Sequence, residues 1–213
     1  MAIDSELQIL IEQHKKEKLE YLRNEIEHNA IYRVRPGNNA IPGKDPNRNY
    51  IWQIYLRRCL FNPNFTMLAA ELLIDKLSDR NIQIGACEDA GVPLGLAMSA
   101  LLKTPMISIK KQRKSYGLLN FTEGTVTGKP ILLVDDLAGS QATLRKCFWI
   151  LNSFKLPIAN QYATIMNKTQ GTHTENYLQG RELISLFSCD DFAMSWQDYV
   201  NKFNKEPDFG SYY

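Results

Sequence analysis

The stretch ILLVDDLAGSQATL, Ile131 to Leu144, decides the fold. Its four leading apolar residues read as a strand buried on both faces, because a strand wet on one side would alternate. Two aspartates, Asp135 and Asp136, stand at the expected strand end. A small-residue turn follows, and a helical pattern begins at Ala142. Strand, turn and helix in that order make one β-α unit.

The same unit recurs outward from this stretch. IQIGAC (82–87), PMISIK (105–110), NQYATIMNK (160–168) and ELISLFSC (182–189) are further short apolar strands, the last ending in the acids of CDD (189–191). Helices are expected over 65–77, beginning near Asn62 or Asn64, over 92–103, and over 142–154. Pro93 falls in a first helical turn, where its missing N–H costs nothing. Alternating strands and helices, with continuous apolar strands, predict a parallel sheet covered on both faces. Residues 4–29 read as an amphipathic helix capped by Asp4 or Ser5, its mixed HKKEK run forming a solvated face. Residues 35–49 are loop by composition, 49–61 a strand or hairpin, and SWQDYVNKFN (195–204) a closing helix. Trp52, Trp149 and Trp196 are assigned to core or interface, and Tyr50 and Phe61 to apolar packing.

Length and charge narrow the function. The 213 residues suit one α/β domain, and a formal net charge of +2 gives no global signal for nucleic acid or membrane. No apolar run nears the roughly 18–20 residues of a membrane span, and the charged N-terminus is unlike a signal peptide. A soluble, cytoplasmic protein is expected. Cys59, Cys87, Cys147 and Cys189 are scattered, as are the three histidines. They predict neither a zinc site nor a disulfide framework, but reduced, mostly buried thiols.

Open parallel sheets bind ligands beyond the carboxyl ends of their strands, so the loops after residues 86, 110, 136 and 168 are expected to share one mouth. The first, GACEDAGVPLG (85–95), offers backbone N–H groups to an anion at a helix start. The second, from Lys110, carries Lys111, Arg113 and Lys114 into a polar segment reaching residue 128, the pattern of a basic lid. The third places Asp135 and Asp136 before a turn with Gly139, Ser140 and Thr143. Carboxylates accept hydrogen bonds from sugar hydroxyls, and the turn suits a phosphate. A sugar with phosphates at two ends matches phosphoribosyl pyrophosphate.

These residues carry a resemblance to a known family. VDDLAGSQATL resembles the phosphoribosyl-pyrophosphate motif of type I phosphoribosyltransferases. ISIKKQRKSYG resembles the lid of orotate phosphoribosyltransferases, commonly Arg-Lys-x-x-Lys-x-His-Gly. Lys110 takes the Arg place, Lys111, Lys114 and Gly117 match, and Tyr116 stands for the His. GACEDAGVPLG resembles the family's pyrophosphate loop. The likeness covers roughly residues 50–170.

The resemblance implies a single domain: an N-terminal helix and small hood (1–60), a core of mostly parallel sheet flanked by helices (61–190), and a C-terminal helix and tail (191–213). Asp135 and Asp136 would hold the ribose hydroxyls. Ala138, Gly139, Ser140, Gln141, Ala142 and Thr143 would cradle the 5′-phosphate. Ala86, Glu88, Asp89, Ala90 and Gly91 would meet pyrophosphate with Mg²⁺, the metal held mainly through the substrate and by no direct protein ligand, Asp135 or Asp136 being the candidates if there is one. Lys110 would contact substrate, Lys111 and Lys114 would stabilise departing pyrophosphate, and Tyr116 would stand beside them in the lid. The lid's reach over a neighbouring subunit implies a homodimer. The reaction implied joins a free nucleobase, orotate first, to phosphoribosyl pyrophosphate. A salvage transferase for another base and a non-catalytic regulator that binds phosphoribosyl pyrophosphate are the alternatives.

Three departures from the family pattern stand out. Gly139-Ser140-Gln141 replaces Thr-Thr-Gly or Thr-Ala-Gly, which puts a glutamine where glycine tolerates unusual dihedrals. Tyr116 does not titrate near neutral pH as a His would. Ile41 occupies the place of a base-contacting Lys, leaving Lys44 or Arg48 for that role.

Overall fold

The computed structural model describes residues 2–34, 41–42, 48–112, 120–169, 180–194 and 199–201. In chain order the elements are α1 (Ala2–Asn29), β1 (Ile31–Arg33), β2 (Ile41–Pro42), β3 (Arg48–Tyr50), β4 (Trp52–Ile54), the single turn α2 (Arg57–Leu60), α3 (Pro63–Asp75), β5 (Gln83–Cys87), α4 (Val92–Leu102), β6 (Met106–Ile109), β7 (Thr122–Glu123), β8 (Ile131–Ala138), α5 (Ala142–Ser153), β9 (Ile158–Asn167), β10 (Glu182–Ser188) and β11 (Tyr199–Asn201). A 3₁₀ turn at Asp190–Phe192 follows β10.

Six strands form the central sheet in the order β10-β9-β8-β5-β6-β7. All neighbours run parallel except the short β7, which pairs antiparallel with β6. Strand β8 lies in the middle and splits its side chains by the two-residue period. Leu132 and Val134 join the core made with α1, α3 and α4, whereas Ile131 and Leu133 join the core under α5. Both faces are therefore dry, as the continuous apolar runs require. Asn62 caps α3, its side chain accepting from the Asn64 N–H at 3.0 Å, with Pro63 at the first helical position.

Among the described residues, two small antiparallel pieces accompany the central sheet. One is the β1–β4 ribbon, the other a three-stranded sheet in the order β11-β3-β2. The residues named as hood thus form short strands, and a strand from the far end of the chain joins them.

Several expectations need correction. Tyr199–Asn201, inside the segment expected as a closing helix, is strand β11, drawn out by pairing with β3. Helix α1 starts at Ala2, ahead of the expected caps Asp4 and Ser5. Residues 49–61 are strand at first and helical at Arg57–Leu60. The polar segment 111–128 contains strand β7. Phe61 is not packed inside but 77% exposed; Trp52 is in the core, whereas Trp149, 63% exposed, is not, which leaves it the interface half of its assignment. Trp196 lies outside the described residues.

Close backbone approach ties the β5–α4 turn to β8. Gly91 is buried, and a Cβ there would meet the Val134 carbonyl oxygen at 2.4 Å, that of Cys87 at 2.8 Å and the Asp135 Cα at 3.0 Å. These neighbours are backbone and cannot swing aside. We predict that Gly91→Ala lowers unfolding stability by about 1–3 kcal/mol, the usual cost of overpacking. An unchanged urea midpoint would show that the contact is looser than described.

Candidate functional site

The acid pair lies within β8, not beyond it. The strand continues to Ala138, with Asp135 opposite Thr164 and Leu137 opposite Met166 on β9. Each carboxylate turns back on the chain: Asp135 Oδ1 accepts from the Asp136 N–H at 3.0 Å, and Asp136 Oδ1 accepts from the Leu137 N–H at 2.8 Å. Successive side chains leave a strand on opposite sides, and their charged surroundings differ accordingly. Asp135 feels Lys111, while Asp136 feels Arg57 and Lys168. Asp135 is buried and Asp136 half-buried. Burial, and then the charge of Asp136, push the Asp135 carboxyl up to about 8. Burial also raises Asp136, opposed by its bond to the Leu137 N–H and by its neighbours, Arg57 among them.

On one side of the pair lies the turn Ala86–Gly91, pressed against Asp135 through Gly91. Glu88 accepts from the Ser108 hydroxyl, and Asp89 faces Arg57 at 3.8 Å. The Gly91 N–H bonds the Cys87 carbonyl at 2.9 Å, which closes the turn, and α4 starts directly after it with Pro93 in its first turn.

On the other side, β8 runs through Ala138 into Gly139 and Ser140. Gln141 precedes α5 in a left-handed conformation, φ 55° and ψ 16°. Among the described residues no side chain caps this helix, so its first N–H groups face the turn, an arrangement suited to an anion. Ser140 is exposed and Thr143 half-buried. Arg145 donates to the Ser140 carbonyl at 3.2 Å, which braces the turn from the next helical turn.

The lid's stem is anchored at both strands. The Lys110 N–H bonds the Phe121 carbonyl at 2.8 Å, and the Lys110 ammonium pairs with Glu123 of β7. Lys110, named as a substrate contact, is buried here. The exposed Lys111 lies next to it and is sensed by Asp135 and Cys87. Lys114 and Tyr116, named for the lid, lie outside the described residues, as does Lys44.

Lys168 escaped the sequence reading. It follows β9, its N–H bonded to the Ala138 carbonyl at 2.6 Å, and its ammonium lies 4.7 Å from the Trp52 ring centre. Burial lowers its pKa, against the raising effects of Cys189 and Asp136. The signal available beforehand was position: Lys168 ends the fourth strand of the mouth. Trp52 belongs to β4, so the pair joins the N-terminal region to the carboxylates.

A mouth with carboxylates at its centre, an anion turn on each side and lysines at its rim suits a phosphorylated sugar. Among the described residues, no group of three or more His, Cys, Asp and Glu gathers as a self-sufficient metal site, and no helix is long and apolar enough to cross a membrane.

Comparison with known proteins agrees on the fold. No protein-family model matches the chain. It is similar to the orotate phosphoribosyltransferase of Methanocaldococcus jannaschii, 21% identical over 141 residues that cover 66% of this chain and 80% of that protein. It is 30% identical to the enzyme of the same name from Sulfurisphaera tokodaii over 116 residues, 54% of this chain and 58% of that one. Among solved structures, a phosphoribosyltransferase from Corynebacterium diphtheriae superposes with a TM-score of 0.66 at 16% identity, covering 84% of this chain and 99% of that chain. The orotate phosphoribosyltransferase from Aeropyrum pernix gives 0.64 at 18%, covering 80% and 96%. The fold is that of the type I phosphoribosyltransferases.

The pair has a pH signature. A carboxyl raised from 3.8 to about 8 by folding contributes stability that is full below about pH 4 and is lost as pH rises through about 8. We predict that Asp135→Asn, which keeps the acceptor for the Asp136 N–H, melts above the parent at pH 8.5 and that the gap closes toward pH 4.5. Parallel melting curves across this range would contradict the assignment.

Proposed function

We propose that this chain is an orotate phosphoribosyltransferase, joining orotate to phosphoribosyl pyrophosphate to give a nucleoside 5′-monophosphate and pyrophosphate. The observation that carries the reading is the seating of the acid pair between two anion turns, with Gly91 pressed on Asp135 on one side and the uncapped start of α5 on the other. Sequence similarity to orotate phosphoribosyltransferases names the base.

In this reading Asp135 and Asp136 accept hydrogen bonds from the ribose hydroxyls and fix the sugar. Residues 138–143 hold the 5′-phosphate through backbone N–H groups, with Ser140 and Thr143 supplying hydroxyls in the altered turn. Residues 86–91 receive the pyrophosphate. As the bond from the anomeric carbon to pyrophosphate breaks, positive charge grows on the sugar and negative charge on the leaving group. The carboxylates stabilise the first, and Lys111, with Lys114 and Tyr116 from the lid, the second. A nitrogen of the base then closes on the anomeric carbon. Lys168 beside Trp52 offers a cation and an aromatic face on the Asp136 side, suited to a planar ring with a carboxylate.

The donor set fits Mg²⁺. That ion binds through one or two carboxylates plus substrate phosphates, and Asp135 and Asp136 are two carboxylates flanked by anion turns. When bound it supplies charge neutralisation to the pyrophosphate oxygens. A homodimer belongs to the same reading, supported by the exposed Leu7, Ile9, Leu10 and Ile11 on α1. A cytoplasmic setting is supported by four free, buried thiols.

Ile41 in β2 favours one alternative, a transferase for a base without a carboxylate. The test is pyrophosphate release from phosphoribosyl pyrophosphate and Mg²⁺ across a panel of free bases. Turnover is expected with orotate; turnover with another base alone moves the substrate, and binding without turnover makes the chain a regulator. Joint replacement Asp135→Asn and Asp136→Asn is expected to cut turnover about 10²–10³-fold, the scale of a lost electrostatic stabiliser; intact turnover would remove the acid pair from the site. Lys168→Ala is expected to raise KM for orotate about 10-fold or more, the worth of a charged hydrogen bond, and that for phosphoribosyl pyrophosphate much less. Equal effects on both would place Lys168 elsewhere.

A further inference from the structure

Gln141 occupies the most constrained position of the phosphate turn. Its φ of 55° lies in the left-handed region, where a non-glycine residue is uncommon and strained. Its side chain is buried, only 6% exposed, and turned away from the N–H groups at the start of α5. The Tyr162 hydroxyl donates to Gln141 Oε1 at 3.1 Å, and both partners are buried. Tyr162 lies on β9 opposite Leu133 of β8 and packs in the core under α5. The Gln141 carbonyl accepts the first bond of α5, from the Arg145 N–H at 2.9 Å. One residue therefore sets the turn's dihedral, starts the helix and reaches the core.

We propose that Tyr162 is a positioning residue for the 5′-phosphate, acting through its hydrogen bond to Gln141. The inference rests on the phosphoribosyl-pyrophosphate reading above. A glycine would adopt this conformation without help. A glutamine adopts it here because its amide is anchored in the core, where Tyr162 supplies a donor. Burial holds the Tyr162 phenol above its ordinary pKa, so it stays a donor at any pH used for assay. The anchor has a second effect. It holds the glutamine amide out of the phosphate site, where its oxygen would compete for the Ala142 and Thr143 N–H groups. Tyr162 touches no substrate. Its work is to keep the turn's donors aimed and uncovered.

The test compares four chains: the parent, Tyr162→Phe, Gln141→Gly, and the two combined. Phosphoribosyl pyrophosphate with Mg²⁺ is titrated calorimetrically, and amide hydrogen exchange is followed at residues 139–143 without ligand. Tyr162→Phe is expected to weaken binding about 5- to 10-fold, the scale of one buried hydrogen bond, to raise KM while kcat at saturation changes less than about twofold, and to speed exchange in the turn. In the Gln141→Gly background the same change is expected to shift binding and exchange less than about twofold, because a glycine turn has nothing to anchor. Gln141→Leu, which keeps bulk but cannot accept, is the second variant and is expected to match Tyr162→Phe. An equal loss in both backgrounds overturns the proposal and leaves Tyr162 a packing residue. If the parent binds no phosphoribosyl pyrophosphate, the functional reading fails by itself, and unchanged turn exchange in Tyr162→Phe then overturns the anchor separately.

Discussion

Two carboxylates side by side on the central strand of a sheet are the constraint on which this molecule turns. Like charges so close, one of them buried, oppose ionisation and burden the folded state. The structure relieves the burden piecemeal. Each carboxylate takes the next backbone N–H of its own strand. Among the described residues, cations act on the pair from three separate segments: Arg57 after the hood ribbon, Lys111 at the lid stem and Lys168 at the end of β9. The two-residue period sends the carboxylates to opposite sides, so each meets different company. Burial still outweighs these contacts, and both carboxyls stay raised.

This explains why the framework could be read from the chain and why parts of the site could not. Strands such as IQIGAC and ILLVDD are apolar throughout because both sheet faces are covered, and Pro63 and Pro93 stand where helices begin. These are local signals. The acid pair stood out in the sequence because nothing in a sheet's interior calls for two carboxylates. Lys168 and Trp52 were not, because their meeting joins β9 to the hood across more than a hundred residues. β11 was missed for a related reason. Its sequence carries a helical pattern, and only pairing with β3 makes it a strand.

The departures from the family pattern read differently once placed. Lys110, at the position of a lid arginine, is committed to Glu123 at the base of the β6–β7 pairing. It fastens the stem of this segment, and the neighbouring Lys111 is left to act on Asp135. Gln141, where glycine is usual, keeps glycine's backbone conformation and obtains from the core what glycine has by nature. In both places a sequence difference has been absorbed by an added contact, without a change of fold.

The pairing of β11 with β3 brings together residues about 150 positions apart in the chain. Such a contact closes one of the longest loops the molecule contains, and loop closure is an entropic cost met before the contact stabilises anything. The central sheet does not wait for it, since β5, β6, β8 and β9 are joined by short crossovers. The three-stranded sheet is therefore expected to form after the central one, and the N-terminal region and the last strand of the described chain meet late.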